Sequence, residues 1–375
     1  MPTEVTLKSA KEFTLVGKPA KRVDTASKLD GTAIYGIDVK LPGMLHGAFA
    51  QCPTLGGTLA GFDAAQAKTM PGVKDVVGTD NGVVVIADHY WQAYKALGAV
   101  KIKWDAGANA SLDNDAIRAR LRKAATRNGR SVRNDGNAAA ALKGAAKVVR
   151  ATYELPMLAH ATLEPQCCTA DVRADSADVY APTQTQTIAQ ATAAAVVGLK
   201  PEQVKIHTTL LGGGFGRRLE VDFIGAAMVA SKAVGKPVKV IWSREQDMTH
   251  DTYRPPAFDT VAGGLDASGK LVAWKLDLTG PSITARMFPP VVETAIDPFA
   301  IEAASNYPYD VPHIAVNYNR EEIGIDVGYW RSVSHALNCF VAESFMDELA
   351  SAAGKDPYAF RAAMLDKQPR FKRVL

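Results

Sequence analysis

The chain has 375 residues, 43 Lys+Arg against 39 Asp+Glu for a net charge of +4, and 47% hydrophobic residues. A chain of this length buries about three quarters of its unfolded surface, and the composition excludes disorder as the main state. The charge is too small and too evenly spread to argue for nucleic acid or an anionic membrane as the main partner. No apolar run reaches the roughly 18 residues of a spanning helix, and Met1-Pro2-Thr3-Glu4 carries no basic-then-apolar export signal. The expected compartment on this sequence is the cytoplasm; a periplasmic place would need an export signal upstream. Cys52, Cys167, Cys168 and Cys339 show no C-x-x-C spacing, so no iron–sulfur cluster or four-cysteine zinc site is expected within the chain.

After an N-terminal extension, residues 1–19, short β signals dominate 20–107. Ala33–Val39 alternates like a strand up to the Leu41-Pro42-Gly43 turn. Met44–Ala50, Met70–Val77 and Gly82–Ala87 read as strands, the last as a buried one. Trp91–Leu97 reads as a helix and Val100–Trp104 as a strand, which makes a small α+β unit. Residues 108–147 read as a linker: Leu112–Ala125 suits a helix, but Arg127–Asn137 is polar and contains glycine. From 148 to 375 strands and helices alternate. Thr187–Val197 is a helix stopped by Gly198, Gln203–Leu210 a strand, Glu220–Ala233 a helix ended by Gly235, and Lys236–Trp242 a strand. Asp259–Asp277 reads as a hairpin around Asp266-Ala267-Ser268-Gly269. Phe340–Ala353 is a helix closed by Gly354, and Asp356-Pro357 starts another. The expected fold class is mixed α/β, a small α+β unit followed by a larger alternating region.

Four segments carry candidate chemistry. A strand, the run Gly212-Gly213-Gly214-Phe215-Gly216 and a helix in succession aim backbone N–H groups at an anion. Arg217 and Arg218 add two guanidinium forks suited to phosphate. A tight structural loop gives the same pattern. The run has neither Gly-Lys-Ser/Thr nor G-x-G-x-x-G spacing, so it is not a P-loop or a dinucleotide fingerprint. Within Ala181–Gln186, Gln184 both donates and accepts and suits an oxo or hydroxyl group; a helix cap by Thr183 or Thr185 is the simpler role. Within Gly328–Val333, Arg331 beside bulky aromatics suits an anionic cofactor or a carbonyl, or else a salt-bridged arginine under a stacked ring. His160, Glu164, Cys167 and Cys168 are metal-ligand types within nine residues. Pro165 breaks helical pairing there and adjacent cysteines rarely share an ion, so buried structural roles are expected. The other histidines are scattered and assemble no Ser/His/Asp triad.

Taken in order, Lys28–Val39, Ala159–Pro165, Pro182-Thr183-Gln184, Gly212–Arg218, Tyr329–Val333 and Phe345–Leu349 resemble the large subunit of the molybdenum hydroxylases. This is the xanthine dehydrogenase and aldehyde oxidase family, and the likeness within it is to the isoquinoline 1-oxidoreductase type. The resemblance covers nearly the whole chain. It implies that 20–107 is the aldehyde oxidase/xanthine dehydrogenase hammerhead domain and 148–375 the first part of a molybdopterin-binding domain. It implies that Gln184 hydrogen-bonds an oxo ligand of molybdenum. It implies that Gly213, Gly214, Phe215 and Gly216, with Arg217 beside them, meet the metal's ligands and the pterin, and that Trp330, Arg331 and Ser332 form a second loop over the cofactor. The implied cofactor is molybdenum with molybdopterin in its cytosine dinucleotide form. The implied reaction hydroxylates a carbon next to a ring nitrogen, or an aldehyde carbon, with oxygen from water. Electrons then leave through a small [2Fe–2S] partner subunit.

Two departures from the family pattern shape the expectation. Xanthine-type members carry a Glu four residues after the Phe of the glycine loop, where this chain has Leu219. Glu220 is one residue off and, on a helix, would point about 100° away, which disfavours purines. The family's general base is a Glu in a Gly-Glu-Pro-like loop, and none follows Arg331; Glu343 and Glu348 sit in a helical stretch. No catalytic residue is therefore expected in this chain. It reads as the front half of a large subunit, completed by a C-terminal half. The alternative is a non-catalytic binding or assembly protein that keeps the fold without the base. A third reading, an unrelated phosphate-ligand enzyme using Gly212–Arg218, requires tight nucleotide binding.

Overall fold

The computed structural model describes residues 4–292 and 296–375. The largest sheet has seven strands, in the spatial order Val204–Thr208, Ala177–Ala181, Cys167–Val172, Val238–Ile241, Leu45–Gln51, Gly82–Ala87 and Val73–Gly78. Strands from the first hundred residues thus share one sheet with later ones. Leu45–Gln51 runs parallel to Val238–Ile241 with Gly47 opposite Val240. Only glycine fits at 47, because an added Cβ would come within 2.8 Å of Val240 Cγ2.

Gly82–Ala87 is buried over its whole length. Val83, Val85 and Ala87 join a cluster with Ala93 and Ala96 of the helix Tyr90–Leu97. Val84 and Ile86 belong to the opposite cluster, with the helices Gln186–Val197 and Asp222–Val234. A strand covered on both faces reads as an unbroken apolar run, which is why this one stands out in the sequence.

A second sheet has five strands, in the order Arg130–Asp135, His313–Arg320, Leu271–Gly280, Ala257–Leu265 and Lys147–Leu155. The helix His335–Ala352 packs on it. Trp274 stacks on Tyr307 with centroids 4.8 Å apart and meets Phe345 edge-on at 5.4 Å. Thr58–Asp63 and Lys101–Asp105 form a separate two-stranded ribbon. The mixed α/β class expected from the sequence is the one adopted. Among the described residues no helix is long and apolar enough to cross a membrane.

Two local expectations are corrected. Residues 33–39 form no strand. Tyr35 makes a single bridge with Leu210, and Gly36–Asp38 is a one-turn 3-10 helix. Asp38 Oδ2 accepts the Tyr35 N–H at 3.0 Å, so a short side chain takes the donor that a ladder would need. Arg127–Asn137, expected as an exposed linker, contains the strand Arg130–Asp135, paired antiparallel with His313–Arg320. It is an edge strand, and exposed edges carry charge, so its composition imitates a linker. The helices Asn114–Ala124 and Ala138–Gly144 structure much of the rest of 108–147.

Candidate cofactor site

The parallel strands Ala177–Ala181 and Val204–Thr208 end side by side. The segments that follow them, 182–185 and 209–216, therefore start next to each other, the usual place for a ligand at a parallel sheet. Gln184 joins the two. Its N–H donates to the Arg218 carbonyl at 2.8 Å, and its Oε1 accepts from the N–H groups of Gly216 at 3.2 Å and Arg218 at 3.3 Å. That leaves the Nε2 donors of an exposed side chain with no acceptor among the described residues. The N–H groups of Gly213, Gly214 and Phe215 also have none there. Thr183 takes the local role: its hydroxyl accepts the Thr185 N–H at 3.0 Å and donates to the Arg218 carbonyl at 3.3 Å.

A third segment, Tyr329–Ser332, closes on the glycine run. The carbonyl of Tyr329 accepts from His160 Nε2 at 3.1 Å. His160 Nδ1 lies 3.0 Å from both carboxylate oxygens of Asp251. Both neighbours of the ring, the Asp251 carboxylate and the Tyr329 carbonyl, are acceptors. Asp251 also accepts the His160 N–H at 2.5 Å and lies 3.0 Å from Arg217 Nε. Burial alone would raise the Asp251 carboxyl, but the His160 bond and the Arg217 charge outweigh it and hold it below the ordinary carboxylate range.

The expectation of two open phosphate forks is corrected. Arg217 is 1% exposed and pairs bidentately with Asp222 at 2.8 and 2.9 Å. Arg218 is buried too; its Nε donates to the Gly213 carbonyl at 2.8 Å and its Nη2 to the Glu164 carboxylate at 2.9 Å. A buried guanidinium needs a partner, and this chain supplies carboxylates of its own. Glu164 also accepts from Ile37 N–H at 2.9 Å and Gly212 N–H at 3.0 Å, which pins the start of the glycine run. Cys167 and Cys168 are buried, and burial pushes both thiols up. Among the described residues no group of three or more His, Cys, Asp and Glu is placed to hold a metal ion.

Trp330 donates from Nε1 to the Ala159 carbonyl at 3.4 Å, and the guanidinium over its ring, at 5.9 Å, is that of Arg254. Arg331 is exposed and pairs with no carboxylate among the described residues. The site is strained. Of five non-glycine residues with positive φ among the described residues, Phe215 and Ser332 lie in these segments, Val333 directly follows the third, and Ala161 directly follows His160. A β-branched residue at φ +49°, as in Val333, is an outlier. Such residues cost about 1–3 kcal/mol each and gather at ligand sites.

Asp251, Arg254 and Thr284 were not singled out from the sequence. Asp251 is 91 positions from His160, and no local spacing announces such a pair. Thr284 accepts from the Tyr329 hydroxyl at 3.0 Å and is held in turn by Asp297. Glu220, one residue past Leu219, is buried and pairs with Arg286 at 2.5 Å.

The open donors are three backbone N–H groups, the Gln184 amide and the Arg331 guanidinium. A preformed donor set without a carboxylate of its own fits an anionic group rich in oxygen and sulfur, and so fits a molybdopterin cofactor.

Residues 122–365 match the family described as molybdopterin cofactor-binding domain. The chain is 31% identical over 384 residues to the beta chain of isoquinoline 1-oxidoreductase from Brevundimonas diminuta, covering 99% of this chain and 49% of that protein. It is 29% identical to a chain of nicotinate dehydrogenase from Pseudomonas putida, covering 95% of this chain and 31% of the relative. Its fold is similar to that of the aldehyde oxidoreductase of Desulfovibrio gigas, with a TM-score of 0.72 at 20% identity, over 91% of this chain and 42% of the other. The chain spans about half, or less, of the length of these relatives. It belongs to the molybdopterin cofactor-binding family of molybdenum hydroxylase large subunits.

Proposed function

We propose that this chain forms the cofactor-cradling part of a hydroxylase that oxidises an N-heteroaromatic ring or an aldehyde with oxygen from water. Electrons pass to a small [2Fe–2S] partner subunit, and the remainder of the large subunit supplies the general base. The observation that carries the reading is the donor set on strained, interlocked loops: Gly213, Gly214 and Phe215 N–H, Gln184 Nε2 and Arg331.

When bound, a molybdenum–pterin group supplies the two-electron redox chemistry that side chains lack. The chain's own residues hold and orient it. Gln184, its Oε1 fixed by two N–H groups, presents Nε2 to an oxygen of the cofactor. The N–H groups of Gly213, Gly214 and Phe215 meet its negative charge, each such bond contributing about 1.5–3 kcal/mol. Trp330, Arg331 and Ser332 cover it from the second loop, with Arg331 suited to a phosphate of the cytosine dinucleotide form. The Phe215 ring, 44% exposed, stands beside these donors to exclude water.

The test is turnover by the full-length protein with its co-purifying partners in oxygen-18 water. Label in the hydroxylated product, with no label from oxygen-18 gas, is the expected result. Unlabelled product contradicts the proposal.

A further inference from the structure

Three short segments meet beside the glycine run. Leu158 bridges Arg254, whose N–H donates to the Leu158 carbonyl at 2.9 Å. Tyr253 bridges Val327, and the Gly328 N–H donates to the Tyr253 carbonyl at 3.0 Å. His160, Asp251 and Tyr329 each lie just beyond one of these bridges, so the backbone brings the three together.

The ring of His160 is set from behind. It is buried with Asp251, whose carboxylate lies at Nδ1 and is itself flanked by Arg217. A carboxylate at one nitrogen holds an imidazole in one orientation and aims the other nitrogen. That nitrogen, Nε2, meets the Tyr329 carbonyl at 3.1 Å.

The other anchors of the loop hold side chains. The Tyr329 hydroxyl donates to Thr284, the Tyr329 ring meets Phe299 edge-on at 5.4 Å, and the Trp330 indole reaches the Ala159 carbonyl. The 329–330 peptide itself has one polar contact. Among the described residues no second donor reaches the Tyr329 carbonyl, and the Trp330 N–H has no acceptor. A trans peptide is planar, with its C=O and N–H pointing opposite ways. The carbonyl is turned into the space that a side chain on Gly216 would fill, so the Trp330 N–H faces away from it. Ser332 and Val333 follow at φ +63° and +49°. Such strain persists only where surrounding contacts enforce it.

We infer that His160 is a positioning residue of the cofactor site: backed by Asp251, it fixes which way the 329–330 peptide faces, and through that peptide the stance of Arg331 over the glycine run. The inference rests on the hydroxylase reading above and adds to it the side chain that aligns its two loops.

Two substitutions separate the two ends of the ring. The amide nitrogen of asparagine stands near the place of Nδ1, and that of glutamine near the place of Nε2. His160→Asn therefore keeps a donor for Asp251 and loses the one for Tyr329, and His160→Gln does the reverse. If the histidine were only structural, molybdenum retention would follow stability in both variants. A positioning histidine splits the two quantities.

Both variants are made in the full-length protein with its co-purifying partners. Crystal structures, urea midpoints and molybdenum per chain after dialysis are compared. His160→Asn is expected to have the higher urea midpoint of the two, a turned 329–330 peptide and about ten-fold less molybdenum than wild type, equivalent to about 1.4 kcal/mol. His160→Gln is expected to have the lower midpoint, yet to keep the peptide and the molybdenum. The inference is overturned if His160→Asn keeps either the wild-type peptide or the wild-type molybdenum. If His160→Asn does not fold, His160→Gln decides, and loss of the peptide orientation or of molybdenum in it overturns the inference. A molybdenum-loaded wild type whose peptide is indifferent to His160→Asn removes the inference and leaves the hydroxylase reading. A wild type without molybdenum removes that reading, and a turned peptide in His160→Asn then still supports the role of His160 in setting the loop.

Discussion

The carbonyl oxygen of Tyr329 occupies the place where a side chain on residue 216 would begin: a Cβ added to Gly216 would lie 1.4 Å from it. Gly216 also has φ +106°, a conformation that side-chain-bearing residues rarely adopt. Gly216→Ala must therefore separate two loops that His160 holds together. The fold of the two sheets does not depend on this contact. The expected outcome is a folded protein, a few degrees lower in Tm, whose molybdenum content drops about ten-fold or more. Metal analysis beside a melting curve checks it, and a variant that keeps full molybdenum shows that the loops need not touch.

Asp251 stands between His160 and Arg217. Asp251→Asn leaves a buried guanidinium short of a charge partner and is expected to cost about 3–5 kcal/mol in urea unfolding. The wild type also carries an acid dependence. Because the Asp251 carboxyl is depressed in the fold, its contribution is present above the unfolded value of about 3.9 and is lost as pH falls below it. Urea midpoints at about pH 6 and about pH 3.5 should fall more in the wild type than in Asp251→Asn. Equal falls would remove Asp251 from the acid response.

Asp259 behaves in the opposite sense. It is buried, and burial pushes its carboxyl up to about 7, only partly opposed by the Thr279 N–H donating at 2.9 Å. A raised acid favours the folded state below the unfolded value and loses that advantage as pH climbs to about 7. From 3.8 to about 7 is roughly three pKa units, on the order of 4 kcal/mol at 1.36 kcal/mol per unit. Asp259→Asn keeps an oxygen for Thr279 N–H and removes the charge, so it should be more stable than wild type at pH 8 and nearly equal at pH 4. Denaturant titrations at the two pH values decide the sign; a less stable variant at pH 8 contradicts the argument.

Gln184 is exposed, and its Oε1 serves two N–H groups of the neighbouring loop. Gln184→Ala is expected to cost only about 1–2 kcal/mol of stability while cutting turnover far more than it cuts molybdenum content. Turnover per molybdenum atom is the quantity to compare. An unchanged value would mean that the amide only supports the loop.

What was legible in the sequence was local. The run Gly212–Gly216 and Gln184 announce themselves by residue type and order, and Gly82–Ala87 by an apolar run that two-sided burial demands. What was not legible was paired over distance. His160 finds Asp251 across 91 positions, and Glu220 finds Arg286 across 66. Arg217 misled for the same reason: a guanidinium looks free until its carboxylates are located. The strand Arg130–Asp135 was hidden because an edge strand carries the composition of a loop.

The proposed function requires that these loops hold a molybdenum–pterin cofactor. The most direct measurement is molybdenum and pterin per chain in the full-length protein, purified with its partners from molybdate-fed cells. About one of each per chain is expected, with both lost together in Gly216→Ala. A folded, partnered protein holding neither contradicts it.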